Sequence, residues 1–113
     1  MNLLRAAVVE KNGWWEMRLL DLQIVADGAS ESAMLAELEH QLIAHYLLAR
    51  KNGDTPFLGL LLACPVDGEQ RWANGDKNFR ALNLPEEVRM ALSAAFRFPR
   101  IIEQFKVDTA RAA

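Results

Sequence analysis

Val, Leu and Ala crowd residues Leu3 to Glu10, a polar break follows at Asn12-Gly13, and apolar and polar residues then alternate from Trp14 to Leu20. Asn and Gly both tolerate the positive φ that a type I′ turn demands, so this pattern predicts a β-hairpin. Alternation puts Trp15, Met17 and Leu19 on one face and Trp14, Glu16 and Arg18 on the other, and the first set belongs to the core. Leu22 to Ala26 reads as a third short strand, ended by a turn at Asp27-Gly28.

From Ser30 the period changes from two to 3.6. Met34, Leu35, Leu38, Leu42, His45, Tyr46 and Ala49 fall on one side of a helix, with Glu37, Glu39, His40 and Lys51 largely elsewhere. Ser30 supplies the N-cap, Glu31 suits the positive end of the helix dipole and Arg50 and Lys51 the negative end, and Asn52-Gly53 provides a left-handed cap. Asp54-Thr55-Pro56 breaks the helix, and Phe57 to Ala63 predicts a central strand apolar on both sides. Two turn signals, Asp67-Gly68 and Asn74-Gly75, flank a short strand around Arg71-Trp72. Phe79 to Leu84 predicts a further strand. Asn83 and Glu86 have capping-box spacing, Pro85 fits a first turn, and a second helix follows to about Phe96. Pro99 interrupts it, and a last helix is expected over Arg100 to Ala110 with Ile101, Ile102 and Phe105 on its apolar side. The fold class is therefore α+β: a mostly antiparallel sheet on one long amphipathic helix, with a helical C-terminal region. Residues 1–64 form the first unit and 65–113 a strand-helix-helix extension packed as part of the same domain.

At 113 residues the chain carries one hydrophobic core and is too short for two. Phe57 to Cys64, the longest apolar run, is far short of the roughly 20 residues of a membrane span, so no membrane partner is expected. The sequence shows no secretion signal, and its single cysteine, Cys64, cannot close an internal disulfide, which favours a reducing cytoplasm. Net charge is −2 but unevenly spread: residues 1–69 hold five Lys and Arg against ten Asp and Glu, and residues 70–113 eight against five. The two parts face different partners or each other.

Candidate chemistry is sparse. Glu37 and His40 have Glu-x-x-His spacing, yet His45 lies about 140° around the helix from His40, so the two histidines cannot clasp one ion. Glu37 and His40 read as a solvated face, and His45 as a half-buried core or interface residue. Gly28-Ala29-Ser30-Glu31-Ser32 lacks the final glycine of a nucleophile elbow, and the cap accounts for Ser30. Cys64 has no activating His, Lys or Arg nearby in sequence, and no phosphate-binding glycine loop occurs. No catalytic residue, metal site or cofactor is expected. Trp14 is more informative, because alternation forces one of two adjacent tryptophans away from the core. With Glu16, Arg18 and Asp21 it forms the candidate partner-binding set.

Residues 3–56 resemble the N-terminal domain of HicB-type antitoxins. The matching pieces are Val8-Val9-Glu10-Lys11, Trp14-Trp15-Glu16-Met17, Gly28-Ala29-Ser30, Tyr46, Gly53 and Pro56. The chain departs from the family pattern at Leu20 to Ile24, where members carry Pro and Gly, and at Ala33, where they carry an acid. The resemblance implies a non-catalytic protein that sequesters a small basic ribonuclease toxin, with or without repression of its own operon through a C-terminal DNA-binding element. Lys77, Arg80, Arg89 and Arg100 are the nucleic-acid contacts it implies, with Arg97 adding charge. Phe98, Ile101, Ile102 and Phe105 are the expected homodimer interface. A small homodimeric structural or assembly protein, without toxin or DNA, stays open as the alternative.

Overall fold

The computed structural model describes residues 2–61, 77–95 and 102–109. Strand β1 spans Asn2–Lys11 and β2 spans Trp14–Leu19, joined by the expected tight turn: Asn12 and Gly13 both have positive φ, 54° and 80°. That turn fixes the register, pairing Lys11 with Trp14 and Val9 with Glu16. Strand β3, Val25–Gly28, pairs antiparallel with β2. It lies later than the expected strand. Leu22 instead makes an isolated bridge to Leu61, and Asp27 and Gly28 belong to the strand rather than to a turn.

Helix α1, Glu31–Asn52, has the predicted caps. The Ser30 hydroxyl accepts from the Ala33 N–H at 3.1 Å. At the other end Gly53 is left-handed, its N–H donates to the Arg50 carbonyl, and the Asp54 N–H donates to that of Ala49 at 2.9 Å. This double closure satisfies carbonyls that the last turn would leave without partners. Met34, Leu38, Leu42 and Tyr46 are buried, at the spacing that the amphipathic reading gave them.

The expected strand at Phe57–Ala63 is not formed over its described part. Phe57 adopts a left-handed backbone (φ 67°), and a 3-10 turn follows at Leu58–Leu60. The physical reason is that Phe57 is only 3% exposed: the chain turns to plug one ring into the core rather than extending to bury a row of side chains. Strand β4, Lys77–Ala81, precedes helix α2, Glu86–Ala95. Asn83 is not the cap of α2. The N–H groups of Val88 and Arg89 both donate to the Pro85 carbonyl, and the Asn83 N–H donates to a carboxylate oxygen of Glu39 on α1.

The expected last helix is also overturned. Ile102–Thr109 is a strand, β5, parallel to β1 and antiparallel to β4. Sheet order is β3-β2-β1-β5-β4, so β5 is an interior strand. Two neighbouring strands supply more backbone hydrogen bonding and cross-strand packing than a short exposed helix would gain. The strand near Arg71-Trp72 falls outside the described residues, as do Cys64, Phe96, Arg97, Phe98, Arg100 and Ile101.

One buried cluster joins the sheet to both helices: Leu4, Ala6 and Val8 of β1, Met17 and Leu19 of β2, the buried row of α1, and Val88, Leu92 and Ala95 of α2. The helices therefore share one face of the sheet. No described element covers the other.

Candidate docking surface

Strand alternation sets what the uncovered face presents. On β1 the residues out of phase with the buried Leu4, Ala6 and Val8 are Arg5, Ala7, Val9 and Lys11. On β2 they are Trp14, Glu16 and Arg18, all exposed, and on β3 Val25 and Asp27. Trp14 is 50% exposed and Val25 45%, whereas neighbouring Met17 is fully buried. An open depression of about 370 Å³ lies at the hairpin end, lined by Val9, Lys11, Asn12, Trp14 and Glu16. Register puts Glu16 directly opposite Asp27 and Arg18 opposite Val25. Two acidic residues are thus directly cross-strand neighbours, with Trp14 one alternate position to one side and Arg18 to the other.

Trp14, Glu16 and Arg18 are brought together as the sequence implies. Asp21 is not with them. It accepts a forked pair of bonds from Arg5, at 2.6 and 3.0 Å, with both side chains only about a quarter exposed. The Leu20 N–H donates to the Arg5 carbonyl at 2.9 Å, tying the end of β2 to β1. Sequence reasoning missed Arg5. The register fixed by Asn12-Gly13 sets Leu20 opposite Arg5, but parity would turn Asp21 to the other face; it reaches Arg5 because β2 ends at Leu19 and the chain bends at Leu20 and Asp21, which no local pattern announces.

The cations expected at nucleic acid are differently placed. Arg80 donates to Glu31 at 2.7 and 3.4 Å, a forked pair that ties β4 to the first turn of α1. Arg89 is half-buried on α2, Lys77 opens β4, and Arg100 lies outside the described residues. Of the expected dimer residues, Ile102 and Phe105 lie in β5, in register with Asn2 and Leu4, and not on a surface helix.

A second concavity, of about 450 Å³, lies between the last turns of α1 and the 3-10 turn, where His45, Leu48, Asp54, Phe57 and Leu58 meet. His45 is half-buried there and His40 is exposed, while Glu37 accepts from Gln41 at 3.2 Å. Among the described residues no three His, Cys, Asp or Glu side chains converge as metal ligands, and no helix is long and apolar enough to cross a membrane.

No family model matches the chain, and no curated protein or solved structure does either.

Proposed function

We propose that this chain is a non-catalytic protein-binding module of the HicB-antitoxin kind, and that its uncovered sheet face docks a small basic protein. The observation that carries the reading is Trp14, half exposed beside the Glu16–Asp27 pair on a face that no described element covers. An amphipathic ring next to two carboxylates suits a cationic partner, because the ring contributes area and a cation–π contact while the acids contribute charge-assisted hydrogen bonds. The acidic excess of residues 1–69 would speed encounter with such a partner. It is smaller at the surface than in the sequence, because Glu31 is paired with Arg80 of the second part of the chain. The reading rests on protein contact alone; Arg80, one of the cations expected at DNA, is held by Glu31.

Co-expression with the product of the neighbouring reading frame tests it. A small basic toxin whose growth arrest is relieved by this chain, and not by its Trp14→Ser variant, is the expected result. The absence of any small basic partner, or no relief of a toxic one, overturns it.

A further inference from the structure

We infer that, without a foreign partner, the uncovered face closes on a second copy of the chain, as a two-fold dimer in which Arg18 of each copy reaches the Glu16–Asp27 pair of the other. The inference rests on the reading that this face is a docking surface, and it assigns the surface an occupant of stated chemistry.

The argument starts from the acidic pair. Residues directly opposite on antiparallel strands hold their Cβ atoms about 5 Å apart, and like charges so placed are destabilising. Glu16 and Asp27 are both exposed, and neither belongs to the ion pairs found among the described residues, which join Arg5 to Asp21 and Arg80 to Glu31. A cation brought from outside relieves that repulsion. Arg18 stands one alternate position beyond Glu16 on the same strand and face, roughly 7 Å away. A two-fold axis passing between these positions therefore sets Glu16 of each copy against Arg18 of the other. This is the reciprocity that an isologous interface requires.

The charge balance of the face favours a copy as occupant. Lys11 and Arg18 offset Glu16 and Asp27, so two copies meet without net repulsion, which a uniformly acidic face would not allow. Closure also removes Trp14 and Val25 from water, which are 50% and 45% exposed. The patch is small. Three strands at about 4.8 Å spacing and six residues at about 3.4 Å each outline a patch of roughly 14 by 20 Å, well below the ~800 Å² per partner of standard interfaces. Self-association is thus expected to be weak and reversible, at high micromolar concentrations or above, and a basic partner using the same face would displace it.

Sedimentation equilibrium on the full chain across the micromolar range and above tests this, with Glu16→Arg and Arg18→Glu compared singly and mixed one to one. The wild type should dimerise reversibly. Each single variant, now carrying like charges on both facing surfaces, should associate at least about tenfold more weakly. The mixture should recover association, because its two surfaces carry opposite charge. Far-UV circular dichroism confirms that both variants fold, as substitutions at exposed positions should. A monomeric wild type, single variants that dimerise like it, or a mixture that fails to recover each overturns the inference. None of these results bears on relief of toxicity, which reads the docking proposal separately.

Discussion

Gly28 shows how closely one residue joins helix to sheet. A Cβ built there would lie 2.6 Å from the Met34 backbone nitrogen and 2.8 Å from the Ala33 carbonyl carbon, so only glycine lets the first turn of α1 rest on β3. Two residues later Ser30 caps the same turn. The Gly-x-Ser spacing is thus a docking joint followed by a cap. Gly28→Ala should force the helix off the strand and cost about 1–3 kcal/mol, as overpacking does. Urea denaturation measures this, and a loss below that range would mean that the turn shifts freely. Phe57 is the other residue with a local demand. Its left-handed backbone is retained because the ring is buried and its carbonyl accepts from the Leu60 N–H at 3.0 Å. Nothing in the run Phe57-Leu58-Gly59-Leu60-Leu61 announces that turn, since a continuous apolar segment fits a buried strand equally well.

Elements with a local cause were legible in the sequence. The hairpin follows from Asn12-Gly13 and the alternation after it; α1 follows from its period and its two caps. The last strand was not legible. Ile101, Ile102 and Phe105 have helical spacing over a few residues, while β5 forms through pairing with β1, about a hundred positions earlier. Contacts of that separation leave no local periodicity, and the β-branched Ile102, Val107 and Thr109 were the only hint. On the docking face, Trp14, Glu16 and Arg18 could be read from parity alone. The acidic pair could not, because it needs the β2–β3 register that places Asp27 opposite Glu16. Ion pairing between elements was likewise invisible: Arg80 and Glu31 are 49 residues apart. Their side chains are 37% and 31% exposed, so solvent screening limits the forked pair. A double-mutant cycle of Arg80→Ala and Glu31→Ala should return a coupling of about 0.5–1 kcal/mol. A coupling near zero would show that β4 is held to α1 by packing alone.

For the whole molecule, the consequence of the strand order is that both ends of the described chain meet at the centre of one sheet, β1 beside β5. Cooperativity should therefore depend on the C-terminal strand. Deletion of residues 102–113 should abolish a single sharp unfolding transition, because it removes the partner of both β1 and β4. A truncated chain that still unfolds sharply, with an unchanged denaturant slope, would argue that β5 is peripheral.

The same architecture gathers both helices on one face, while no described element covers the other, where Trp14 and its charged neighbours stand, and the functional account rests on that asymmetry. Its most direct measurement is the Trp14→Ser variant, read at once for stability by urea unfolding and for relief of the toxin that the docking proposal expects. An outward tryptophan serving as an anchor predicts a stability change below about 1 kcal/mol together with loss of relief. A destabilisation of about 3–5 kcal/mol, the size of truncating a core aromatic, with relief undiminished in the variant that remains folded, would contradict it.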